Sequence, residues 1–224
     1  MRELKKAFKL MKYTYHYQSK DEKYMPLILS VVGMLGLLGC IKDAFFLTVA
    51  SPMLVLSIAY VGSYYYSLPY AHMVGASGLR KHLELMIPNV LMVAGSLWGY
   101  LLIMIVLTIS AHFNPNMAME YAKGLVETSF MTGILIVFYG VSNKHYWIGF
   151  VIVDILIFVY LVVVPTMLKD TDTFLGRPLD LHWGLIIYGL ALVVATTLSC
   201  LLRTLLYKKP GMRGRVGKQM LHTM

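Results

Sequence analysis

The sequence predicts an all-α polytopic membrane protein: six transmembrane helices preceded by an N-terminal interfacial amphipathic helix. Three observations carry this. First, 58% of the 224 residues are hydrophobic and only 14% are charged. A soluble domain averages about 25% charged residues, so this chain has too little charge to cover a water-facing surface. Second, the apolar residues fall into six stretches, most of them near the roughly 20 residues that cross a hydrocarbon core. Third, lysine and arginine cluster at the two ends, with seven in the first 23 residues and six between Arg203 and Lys218.

The elements follow in order. Residues 1–23 form a basic amphipathic segment. Leu4, Phe8, Met11 and Tyr15 share one helical face and Lys5, Lys9 and Lys12 another, the pattern of a helix lying in the membrane interface. Residues 24–207 form the six-helix transmembrane domain, with apolar stretches at 25–41, 44–68, 88–110, 127–141, 146–164 and 183–206. The fourth is the weakest and can begin near Met119. Lipid offers no partner to backbone N–H and C=O groups, so the spans must be helices. Residues 208–224 form a basic tail.

Charge sets the orientation. With both termini inside, the inside segments hold 16 Lys and Arg and the outside loops hold four: Lys42, Lys123, Lys169 and Arg177. The positive-inside rule then predicts a multi-pass protein of the cell membrane with both termini cytoplasmic. Tyr64, Tyr65, Tyr66, Tyr70, Trp147 and Trp183 lie at the predicted boundaries, where amphipathic rings favour the headgroups. The net charge of +9 is therefore read as a match to anionic lipid, with no nucleic-acid partner expected. Cys40 and Cys200 fall near opposite faces, roughly 25 Å apart at about 1.5 Å per residue, too far for a disulfide. No small-residue cleavage site follows the first apolar run, so no cleavable signal peptide is expected.

Chemistry-bearing motifs are sparse, and no catalytic residue is expected. Gly75-Ala76-Ser77-Gly78 looks like the GxSG of rhomboid proteases, but Ser77 falls in a charged loop and no histidine lies inside a predicted span to serve as its base. The seven histidines make no H-x-x-x-H spacing, so no metal and no cofactor is expected. A G-x-x-x-x-G-K-[ST] phosphate loop is missing, so ATP-driven work would need a separate subunit. Gly33, Gly36 and Gly39 mark a close-packing helix face. Asp154 is the one acid expected well inside a span, about 12 Å from its cytoplasmic edge. Ser57, Ser96, Thr196 and Thr197 lie at the same predicted depth. Together they are expected to form an intramembrane polar layer in which hydroxyls satisfy the acid, as helix-to-helix glue or as a substrate contact.

The layout resembles that of small permease subunits of type-2 ABC exporters from Gram-positive bacteria. The residues that carry the resemblance are the lysine-rich opening from Met1 to Tyr13, the six spans, the short amphipathic stretch Leu79 to Met86 after the second span, and the terminal Tyr207-Lys208-Lys209-Pro210. The resemblance implies export of amphipathic or peptide-like substrates, driven by a cytoplasmic ATPase. It implies that Arg80, Lys81 and Glu84 couple to that ATPase, with Leu79, Leu83 and Met86 filling a groove on it. It also implies a homodimer, or a heterodimer with a second permease. Where many members have a larger re-entrant hairpin between the last two helices, this chain has the short polar loop 165–182. A non-transporting scaffold or immunity protein, and the substrate-capture subunit of a small-molecule importer, remain alternatives at this point.

Overall fold

A computed structural model describes residues 20–61, 81–142, 149, 151, 152, 154–158 and 179–207. Helix α1 spans Lys20–Cys40, α2 Leu47–Val61, α3 Ile87–Phe113, α4 Ala118–Ser142 and α5 Leu181–Leu206. No strand occurs among the described residues. With the short helical turns that lead into them, five helices are long and apolar enough to cross a membrane. Of the fifth predicted stretch, residues 149, 151, 152 and 154–158 are helical, and Ile152 and Leu156 pack against the core. The rest of that stretch lies outside the described residues, as do residues 1–19, 62–80 and 208–224.

Two tight corners set one end of the bundle. At the first, the Lys42 and Asp43 N–H groups both return to the Gly39 carbonyl, at 3.0 and 3.2 Å. The Asp43 side chain then accepts from the Phe45 N–H at 2.8 Å and opens the 3-10 turn Ala44–Phe46 that feeds α2. A short acid at this position satisfies a backbone donor left over by the helix start. At the second corner, the Asn114 N–H closes α3 on the Ser110 carbonyl at 2.9 Å. Pro115, which cannot extend the helix, then begins the turn Pro115–Met117. We call this the corner end and the opposite one the Arg203 end.

Small residues bring the helices together. A Cβ on Gly33, Gly36 or Gly39 would come within 2.8 Å of Leu54, 3.0 Å of Ala50 and 2.8 Å of Phe46, so the glycine face read from the sequence is the α1–α2 interface. Gly95 of α3 lies directly against the Val55 carbonyl of α2, and Gly140 of α4 against Ser199 of α5. In a bilayer the apolar effect adds little between helices, and such close backbone approach supplies the van der Waals attraction that holds them.

The outside is as apolar as the inside. Leu205 is 72% exposed and Val193 63%, alongside Leu27, Leu35, Leu38 and Leu190. Hydrocarbon is the solvent that tolerates such a surface.

Two boundaries differ from the sequence reading. The pattern of Leu79–Met86 predicts a separate helix on the membrane surface. Instead His82–Met86 forms a π-helical turn that runs unbroken into α3, the Ile87 N–H reaching back to the His82 carbonyl. Leu83 and Leu85 are buried in the bundle, while Met86 is exposed. Two of the apolar side chains that suggest a surface helix therefore pack inward, and of the expected groove-filling set Leu83 is taken up by the bundle itself, while Leu79 lies outside the described residues. The second difference concerns Lys123: α4 begins at Ala118, at the earlier start that the sequence allows near Met119. Lys123 therefore sits five residues into a membrane-length helix and not in an outer loop, because the Asn114-Pro115 corner starts the new helix early.

Candidate functional site

The polar residues of the bundle interior fall into three groups. The first sits at mid-height. Ser51 of α2 shares hydrogen bonds of 2.6 Å with both Thr132 of α4 and the Tyr188 hydroxyl of α5. The Tyr188 ring stacks on Tyr100 of α3, with centroids 6.1 Å apart and planes 15° from parallel. One buried hydroxyl thus links three helices, and a stacked pair adds the fourth.

The second group joins α3 and α5, where Ser96 and Thr196 hydrogen-bond at 2.8 Å. They form the floor, with Leu192 and Tyr100, of a lateral cavity of about 380 Å³ whose rims are Val93, Leu97, Val193 and Thr197. The rims are exposed and the floor is buried or half-buried, so the cavity opens sideways to the surroundings of the bundle. Gly189 makes room for it: a Cβ there would come within 3.0 Å of the Tyr100 ring.

The third group is Arg203, one turn before the end of α5 and only 6% exposed. Its Nε donates to the Gly140 carbonyl of α4 at 3.2 Å, and its Nη1 to Asn89 Oδ1 of α3 at 2.9 Å. The guanidinium therefore sits where α3, α4 and α5 meet. Both acceptors are neutral. Nη2 is buried with no partner, and so is Ser199 Oγ one turn earlier on the same helix. No carboxylate among the described residues pairs with Arg203. A buried cation without a counter-charge is costly, and a buried N–H without an acceptor adds to the cost.

The expected polar layer is only partly assembled. Ser96 and Thr196 meet each other. Ser57 turns back to its own helix, donating to the Leu54 carbonyl at 2.7 Å. Thr197 is exposed on the cavity rim. Asp154 is also exposed, and no hydrogen bond joins it to any of the four hydroxyls. Equal depth places these residues on one level, but depth says nothing about which way each helix turns its face. Nor is Asp154 the one acid within a span: Glu127, nine residues into α4, is exposed as well. Of the expected coupling residues, Lys81 is exposed, Glu84 is half-buried, and Arg80 lies outside the described residues. Ser77 does too.

Sequence reasoning misses Ser51, Thr132, Tyr188 and Arg203. The first three carry a usable signal, a hydroxyl in the middle of an apolar stretch. Arg203 is grouped with the basic tail because it is the first of six cations there. Among the described residues no three His, Cys, Asp or Glu side chains gather in a way that could hold a metal. Both cysteines are free, Cys40 buried and Cys200 half-buried.

The fold and its polar interior define an all-α, multi-pass membrane protein. Comparison with known proteins adds no family: no family model matches the chain, and no curated protein and no solved structure matches it.

Proposed function

We propose that the chain is a membrane-spanning permease subunit of an ATP-driven exporter of amphipathic or peptide-like substrates, working with a separate cytoplasmic ATPase subunit. In this reading it lies in the cell membrane with both termini cytoplasmic, and pairs with itself or with a second permease. It supplies no catalytic residue of its own.

One observation carries the reading. From Lys81 onward the helix continues through the π-helical turn into α3 without a break, and α3 provides one wall of the lateral cavity. A force applied at Lys81 and Glu84 therefore reaches Val93, Ser96 and Tyr100 along a hydrogen-bonded rod. A surface helix on a flexible tether would dissipate it. Lysine and glutamate at this end present the charges that position a docking partner. The burial of Leu83 changes the expected docking surface, which would use the charged side chains and the exposed Met86.

The test is co-purification. An ATPase subunit should co-purify with the chain from its native membrane. Reversing charge with Arg80→Glu and Lys81→Glu should release it while the bundle keeps its helical content and its gel-filtration position. Isolation of the chain alone from native membranes, together with unchanged peptide sensitivity in a deletion strain, would overturn the proposal.

A further inference from the structure

We infer that the seam between α3 and α5 is a binding site for one anionic phospholipid, its phosphate at Arg203 and an acyl chain in the lateral cavity. This goes beyond the exporter reading and needs no ATPase.

The seam is continuous. On α5, Arg203, Ser199, Thr196, Leu192 and Gly189 recur at intervals of three or four residues, which is one helical face. On α3, Asn89, Val93, Ser96 and Tyr100 do the same. The two faces meet at Arg203–Asn89 and again at Ser96–Thr196. The cavity lies beside the second meeting point, its lining reaching from Val93 and Thr197 on one side to Tyr100 and Gly189 on the other. From Arg203 to Gly189 is fourteen residues, roughly 21 Å of helix at about 1.5 Å per residue, within the reach of a long acyl chain.

Each end of the seam asks for one part of such a molecule. The cavity is lined mostly by apolar surface, and its Ser96 and Thr196 hydroxyls already satisfy each other. It therefore favours an apolar guest, and it opens toward the hydrocarbon. Arg203 is a buried cation with a donor left over and no acid beside it among the described residues. Guanidinium matches phosphate geometry through paired donors. Arg203 lies one turn from the end of a membrane-length helix, followed in sequence by Lys208 and Lys209. That is the depth of lipid phosphates, and basic pockets between helices at this level bind anionic headgroups.

The experiment uses the full chain, purified in mild detergent and studied by native mass spectrometry with added phosphatidylglycerol or phosphatidylcholine. One phosphatidylglycerol per chain should be retained in preference to phosphatidylcholine. Arg203→Gln should reduce that preference roughly fivefold or more, the worth of one interfacial cation. Lys42→Gln, at the corner end, should leave it unchanged. Val193→Trp alters only an exposed rim side chain, and should abolish retention of both lipids with helical content intact. Millimolar inorganic phosphate should not displace the lipid, since the acyl chain supplies much of the binding.

Equal retention of the two lipids by the unaltered chain would overturn the proposal, as would full retention by Val193→Trp. Displacement by free phosphate would overturn it in favour of an anion site with no acyl requirement. A dimer that Val193→Trp converts to monomer would overturn it in favour of a second copy seated on the seam.

Discussion

The side chains that hold this bundle together are small, and their effects differ in kind. Ser51 accepts or donates two hydrogen bonds between helices, yet such bonds average only about 0.6 kcal/mol within membranes, with a maximum near 1.7. Ser51→Ala should therefore cost on the order of 1 kcal/mol in a reversible unfolding assay in mixed micelles. Gly95 has no side chain to bond with and yet matters more. Any Cβ there runs into the Val55 carbonyl, and backbone cannot step aside as a side chain can. Gly95→Val should destabilise more than Ser51→Ala, and α2 should part from α3 first. The reverse order would mean that polar links, and not close packing, govern this core. The same contrast explains which residues are legible beforehand. Gly33, Gly36 and Gly39 announce themselves by spacing along one helix. The Ser51–Thr132–Tyr188 link joins positions far apart in sequence, and only the packing of three helices brings them to one point.

Among the elements, the helix from Lys81 to Phe113 has the most to say about mechanism. Its apolar part is plain in the sequence. Its continuity back to Lys81 is not, because charged Lys81 and Glu84 make residues 79–86 look like an interfacial piece, and the burial of Leu83 and Leu85 depends on neighbours the local pattern does not show. If the helix transmits force as one rod, breaking it should uncouple two activities. Insertion of Gly-Gly between Met86 and Ile87 should leave ATPase co-purification intact and reduce transport in reconstituted vesicles at least tenfold. Transport unaffected by the insertion would rule out transmission through α3. The α1–α2 hairpin makes a complementary case. Gly36→Leu should separate those two helices, and protease accessibility near Asp43 should rise, since the Lys42–Asp43 turn depends on Gly39 lying close to Phe46.

At the scale of the whole molecule, composition and length decide the class, and the helices agree with it. Sidedness rests on the distribution of lysine and arginine, and it yields a direct check. In a background with both native cysteines replaced by serine, Lys42→Cys should react with an impermeant maleimide added to intact cells. Lys208→Cys should react only after permeabilisation. Labelling in the opposite pattern would invert the topology and remove the cytoplasmic docking surface. What the sequence does not convey at this scale is rotation. Asp154 and Glu127 lie within helical segments yet turn outward, and nothing in a linear pattern of hydrophobicity fixes the angle at which a helix presents its few polar side chains.

The two tight corners carry a mechanical implication. Helices α1 and α2 are pinned together by the short link 41–46, and α3 and α4 by the few residues around Asn114. Short ties resist separation where they sit, so any splaying of the two helices within a pair must pivot there and grow with distance, as the jaws of a clothes-peg do. Over the 27 residues of α3, a tilt of about ten degrees moves the far tip roughly 7 Å at about 1.5 Å of rise per residue. At the far ends of α3 and α4 the guanidinium of Arg203 bonds to both, to Asn89 on one and to the Gly140 carbonyl on the other, and so opposes their splaying where it would be widest.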